Sequence, residues 1–132
     1  MPVDAKGAVA RLKELRTLTA DKDGAQRLAW SPLWLKAREW FQSKLHELPV
    51  EHHLDAAGNS WTTLAGVSKK NLILGSHLDS VPNGGWLDGC LGVLAAHAVL
   101  RRIAEEFAGK PPITIRLVDW ADEEGARFGR SL

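Results

Sequence analysis

One histidine and five carboxylates crowd into two short stretches of this chain, GSHLDSVPNGGWLDGCLG at residues 75–92 and DEEGARFG at 122–129. The first carries His77, Asp79 and Asp88 among glycines; the second opens with Asp122, Glu123 and Glu124 in succession. Imidazole nitrogen together with carboxylate oxygen is a donor set for a divalent cation. With no thiolate in the set it suits zinc, with manganese, cobalt or nickel as alternatives. Asp79, two residues beyond His77 in an extended segment, points to the same side and can accept the ring N–H turned away from the metal. Asp88, at the start of a predicted helix, lies at the positive end of the helix dipole and stays ionised. A carboxylate with both oxygens free can bridge two ions. Glu123 and Glu124 are adjacent after a strand, so one can ligate while the other faces the open coordination position. A metal lowers the pKa of bound water to about 7. A carboxylate beside that water can take its proton and later deliver it to a leaving amine. This is the chemistry of metal-assisted hydrolysis of an amide-like bond.

These residues must be brought together by the elements around them. NLILG (71–75) is a compact apolar run of the kind seen in strands buried on both faces. A helical pattern over 88–107 follows, and ITIRLVDW (113–120) is a second apolar strand. Strand, helix and strand make a βαβ unit with parallel strands and a right-handed crossover. In open α/β sheets ligands sit beyond the carboxyl ends of the strands, and His77, Asp88 and the DEE run all fall on that rim. Upstream, Asp4 caps a helix whose apolar positions are Ala5, Ala8, Val9, Leu12 and Leu15, and the polar segment TADKDGAQ interrupts the pattern. Ser31-Pro32 starts a second helix whose stripe is Leu33, Ala37, Trp40, Phe41, Leu45 and Leu48. VEHHL and NSWTTLA, joined by DAAGN, form a hairpin.

The whole chain of 132 residues is 45% hydrophobic and 25% charged with a formal charge of +1, the composition of a globular protein with no electrostatic case for nucleic acid or an anionic membrane as partner. It has no apolar run long enough to span a bilayer, no secretory pattern at its N-terminus, and one cysteine, Cys90. The compartment expected from these features is the cytoplasm.

Other residues have plainer readings. A glycine-rich phosphate loop does not account for residues 84–92, because neither GxGxxG nor GxxxxGK[ST] is present and acids there would repel phosphate. His52 and His53 point to opposite faces of one strand and cannot chelate one ion together. His97 belongs to the crossover helix as a packing residue. Cys90, near a helix start, is a small packing residue with no histidine placed as its base. Trp86 lies close enough to the rim to touch a substrate, Arg101-Arg102 is a solvated pair, and Arg127 is placed to steady the acidic loop.

GSHLDSVPNGGWLDGCLGV followed by DEEGARFG resembles the co-catalytic metallopeptidase superfamily, and within it the branch of allantoate amidohydrolase, N-carbamoyl-L-amino acid hydrolase and β-ureidopropionase. The branch signals are VPNGG, DAAGN and EEGARFG, and GAQRLAWSPLWLKAREW resembles the branch's N-terminal helical region. One departure is Leu87, where the branch usually has an aromatic residue before the bridging aspartate. The resemblance implies an α/β fold, the N-terminal part of a zinc-peptidase-like catalytic domain with helices on a mostly parallel sheet. It implies two divalent metal ions, with His77 on one, Asp88 bridging both and Glu124 on the other, Glu123 as general base and Asp79 as the orienting aspartate. It further implies a hydrolase of non-peptide C–N bonds acting on small carbamoyl or ureido acids, and a homodimer for the complete protein. Residues 1–132 then correspond to the N-terminal portion of that domain, since the chain stops at Arg130-Ser131-Leu132 soon after the acidic motif. The inserted dimerisation domain, two further histidine ligands and the substrate-selecting residues of the family lie beyond. A di-metal peptidase or aminoacylase of the same superfamily is the nearest alternative, and an inactive fragment lacking the downstream ligands is the other.

Overall fold

The computed structural model describes residues 2–128, so Gly129 and the Arg130–Leu132 end lie outside the described residues. Helix α1 (Ala5–Thr19) begins where the Asp4 carboxylate accepts the Gly7 N–H at 2.8 Å. Helix α2 (Pro32–Leu45) begins where the Ser31 hydroxyl accepts the Trp34 N–H at 3.3 Å, with Pro32 in the first turn. Its buried face is Trp34, Ala37, Trp40, Phe41 and Leu45, so Trp34 and not Leu33 leads the stripe. Between the helices, Ala20–Asp21 (β1) and Gly24–Ala25 (β2) form a small antiparallel ribbon. The second helix starts at Pro32, as Ser31-Pro32 predicts, and residues 24–31 before it are not helical.

The hairpin is present as β3 (Glu51–Leu54) and β4 (Ser60–Leu64), paired antiparallel. Strand β5 (Ser68–Ser76), helix α3 (Cys90–Glu106) and strand β6 (Ile113–Asp119) form the βαβ unit, with β5 and β6 parallel. The sheet order is β3-β4-β6-β5. It is a mixed sheet, because β4 also pairs antiparallel with β6 and only the β5–β6 pairing is parallel. The main core joins Leu12 and Leu15 of α1, Phe41 and Leu45 of α2, Val93, Leu94 and Leu100 of α3, and Leu64, Ile115 and Leu117 from the sheet.

One expectation is overturned. NLILG is not buried on both faces: β5 is the edge of this sheet, and Leu72 and Ile73 are 44% and 51% exposed. An apolar run measures how much a strand can bury, not which neighbours it has in the chain at hand.

His97 is the packing residue expected, fully buried beside the Phe41 ring, with Nε2 donating to the Lys44 carbonyl at 3.1 Å in the last turn of α2. Burial outweighs that contact and pushes its pKa from 6.5 down to about 4. An unfolded histidine takes up its proton near pH 6.5, the folded one only near 4. The contribution is thus complete above pH 6.5 and is lost as pH falls through 4, up to about 3 kcal/mol. His97→Gln retains a donor for Lys44 and removes the titration. In urea unfolding, the stability gap between wild type and H97Q is expected to narrow by that amount from pH 7 to pH 4; parallel curves would refute the assignment.

Candidate metal centre

Strands β5 and β6 end in register at Ser76 and Asp119, and the Trp120 N–H closes on the Ser76 carbonyl at 2.9 Å. The chain leaves both strands at one rim, His77 from the first and Asp122–Glu124 from the second. His77 is buried, and its Nδ1 sits 2.9 Å from the Asp79 carbonyl oxygen and 3.2 Å from Asp79 Oδ1. Those acceptors place the ring proton on Nδ1 and turn Nε2 outward. Nε2 then lies 3.1 Å from Glu123 Oε2 and 3.8 Å from Asp88 Oδ2.

Asp79 is fully buried and does more than orient the imidazole. Its Oδ1 accepts the Glu123 N–H and its Oδ2 the Glu124 N–H, each at 3.2 Å. One carboxylate therefore fastens the acidic loop to the histidine turn. The donor atoms of His77, Glu123 and Glu124 lie within 4.8 Å of one another. Burial works against a charged His77 ring, but the Asp79 hydrogen bond and charge, with Glu123, raise its pKa to about 9. Glu124 is pushed up to about 7, first by its hydrogen bond with Asp88, then by burial and the Asp88 charge. Carboxylates crowded around an outward-facing imidazole nitrogen are the environment that a divalent cation relieves, so the donor set fits a metal.

All five expected site residues, His77, Asp79, Asp88, Glu123 and Glu124, meet at this rim. Asp88 does not open the helix, however. The helix starts at Cys90, and Gly89 between them has φ 68° and ψ −56°, with the Cys90 N–H on the Asp88 carbonyl at 2.7 Å. This is a γ-turn, a strained geometry that glycine tolerates. It leaves the Asp88 side chain 61% exposed, ahead of the helix. Cys90 is buried, its thiol donates to the Trp86 carbonyl at 2.8 Å, and burial raises its pKa. Trp86 packs against the core under the Arg16 guanidinium, 4.9 Å from its ring centre. The acidic loop is steadied from Arg127 by its backbone: the Asp122 carboxylate accepts the N–H groups of Arg127 and Phe128 at 3.2 and 3.1 Å.

The supporting residues carried no local signal. Asp119 is buried, with Oδ1 on the Leu78 N–H at 2.8 Å and Oδ2 on Arg38 Nε at 2.7 Å. Arg38 also donates to the Gly58 and Asp119 carbonyls. Asn59 of the DAAGN turn accepts the Ala121 N–H at 2.9 Å. From the other side, residues 25–27 run as a strap along the loop 78–84. Ala25 and Gly84 exchange backbone hydrogen bonds at 2.8 and 3.0 Å, Gln26 Nε2 donates to Asn83 Oδ1 at 2.7 Å, and Arg27 N–H donates to Ser80 Oγ at 2.9 Å. No helix among the described residues is long and apolar enough to cross a membrane.

The chain has relatives among known proteins. Residues 73–131 match peptidase family M20/M25/M40. The chain is 36% identical over 107 residues to an allantoate amidohydrolase of Escherichia coli (strain K12), covering 80% of this chain and 26% of that protein. It is 38% identical over 108 residues to an N-carbamoyl-L-amino acid amidohydrolase of Geobacillus stearothermophilus, again covering 80% and 26%. A crystal structure of a hydantoinase/carbamoylase family amidase from Burkholderia multivorans superposes with a TM-score of 0.90 at 31% identity, over 98% of this chain and 32% of that one. The chain thus spans about a quarter of the length of the curated relatives it matches. Residues 73–131 thus resemble peptidase family M20/M25/M40, and the chain as a whole has the fold of the hydantoinase/carbamoylase family amidases over about a third of their length.

Proposed function

We propose that residues 1–132 are the N-terminal portion of the catalytic domain of a metal-dependent amidohydrolase that cleaves the C–N bond of N-carbamoyl or ureido acids. The observation that carries this reading is the convergence of His77, Asp88, Glu123 and Glu124 on one rim, held from behind by buried Asp79, in a chain whose relatives are named for allantoate and N-carbamoyl-L-amino acids. His77, Asp88 and Glu124 would hold two divalent ions, zinc first by donor chemistry. Bound there, the ions supply Lewis acidity that polarises a carbonyl and acidifies water. Glu123 accepts a proton from the attacking water and returns it to the departing nitrogen. Asp79 holds the His77 proton on Nδ1, so that Nε2 is the ligating atom. The substrate is a small carbamoyl or ureido acid, the complete protein a homodimer and its compartment the cytoplasm.

The test is ammonia release from allantoate and N-carbamoyl amino acids by the full-length protein that contains this chain. Glu123→Gln is expected to lower turnover by about 10²–10⁴-fold with metal content unchanged. Retained turnover removes Glu123 from its role. Hydrolysis of acyl amino acids without ammonia would favour an aminoacylase or peptidase, and no turnover with any of these substrates would favour an inactive form.

A further inference from the structure

Arg27 is fully buried, an uncommon place for a guanidinium. Its Nε donates to the Leu78 carbonyl at 2.6 Å and its Nη1 to Thr19 Oγ1 at 3.2 Å, while Nη2 is buried with no hydrogen-bond partner. Thr19 Oγ1 spends its own proton on the Leu15 carbonyl at 2.8 Å, so it is free to accept from Arg27. The backbone of the same residue is committed as well: its N–H donates to Ser80 Oγ and its carbonyl accepts the Ser80 N–H at 2.8 Å. Leu78 is the residue between His77 and Asp79, and its N–H is already held by Asp119. Both backbone polar groups of that one residue are thereby pinned from opposite sides, the N–H by a carboxylate on β6 and the carbonyl by Arg27 from the strap.

We propose that Arg27 is a positioning residue for the metal centre, its Nε–H on the Leu78 carbonyl fixing the turn that presents His77 Nε2 and the Asp79 carboxylate to the acidic loop. This rests on the metal-centre reading above. Arg27 touches none of the reacting groups; it acts through Leu78. Groups that orient metal ligands from behind typically change metal affinity 10–100-fold when removed.

Zinc titration of the full-length protein that contains this chain, followed by calorimetry, separates the alternatives, with thermal unfolding as the control for folding. Arg27→Met removes the donor and keeps most of the buried volume. Arg27→Gln places an amide nitrogen the same number of bonds from Cα as Nε, so it can still donate to Leu78 while lacking the charge. R27M is expected to weaken zinc binding at least tenfold, and R27Q to recover affinity to within about threefold of wild type. A folded R27M with wild-type affinity, an R27Q as weak as R27M, or two variants that both bind more tightly than wild type would overturn the proposal. Should R27M not fold, Thr19→Val carries the test beside R27Q. It strands the buried, charged Nη1 without an acceptor and so draws the guanidinium off the Leu78 carbonyl, a strain the neutral glutamine of R27Q does not carry; zinc is expected to weaken three- to tenfold, and unchanged affinity overturns the proposal. Failure of wild type to bind zinc would reject the metal-centre reading itself. Wild-type binding with indifferent variants would reject only the part assigned to Arg27.

Discussion

Replacing Arg38 with methionine is expected to lower the unfolding free energy by about 3–5 kcal/mol, the range for removing one partner of a buried ion pair. Arg38 lies over the Trp34 ring at 4.0 Å and makes three hydrogen bonds, to the Asp119 carboxylate, the Asp119 carbonyl and the Gly58 carbonyl. Methionine retains apolar contact with Trp34 and leaves Asp119 buried without its counter-charge. The pH dependence identifies the mechanism. Burial raises the Asp119 pKa from 3.8 to about 6, against the opposing pull of Arg38. A carboxyl whose folded pKa is raised contributes stability below its unfolded pKa and loses it as pH rises through the folded value. Without Arg38 the folded pKa climbs further, so the deficit of R38M is expected to be larger at pH 8 than at pH 5. Urea unfolding at the two pH values measures this directly. A deficit below about 1 kcal/mol, or one that is the same at both, would mean that the pair contributes little beyond packing.

Gly89→Ala is the second large effect. Gly89 holds φ 68° immediately after Asp88, and a methyl group there would fall on the His77 carbonyl oxygen and lie 2.5 Å and 2.6 Å from ring atoms Cε1 and Nδ1. Left-handed backbone costs alanine about 1–2 kcal/mol, and the overlap is with backbone and a packed ring, which have little room to yield. The expected loss of stability is about 2–4 kcal/mol. Because what must move is His77, zinc affinity is expected to fall at least tenfold as well. An alanine variant that unfolds earlier but binds zinc normally would show that the loop absorbs the strain without moving the imidazole.

Much of this arrangement can be read from the chain alone, and the limit of that reading has a physical cause. Asp4 and Ser31-Pro32 mark helix starts because capping is local chemistry, and the DAAGN turn follows from the same kind of short-range preference. The rim of His77, Asp79, Asp88, Glu123 and Glu124 follows from the βαβ periodicity, which puts two strand ends side by side. What escapes is whatever depends on a partner far along the chain. Asp119 reads as an ordinary strand end until Arg38 and Leu78 meet it. TADKDGAQ reads only as a polar break between helices, because the partners that order residues 25–27 lie at residues 78–84. The same limit misplaced β5: NLILG has the composition of a central strand, but position in a sheet belongs to the set of strands present.

The strap formed by residues 25–27 bears on how such a site could be moved or inherited. Every ligand expected within this chain, and Asp79 behind them, falls between His77 and Glu124, inside the segment 73–131 that matches the family. The groups that shape the ligand loop come from more than fifty positions earlier, with Arg27 reaching Leu78 across 51 residues and Gln26 reaching Asn83 across 57. A fragment or graft defined by these ligands would carry the donor atoms this chain supplies and leave behind the strap's hydrogen bonds to Leu78, Ser80 and Gly84. Its loop would then have to bear the full conformational entropy of ordering by itself. The smallest unit that keeps these hydrogen bonds, with the Thr19 acceptor of Arg27, accordingly runs from Thr19 to Glu124, about twice the span of its ligands.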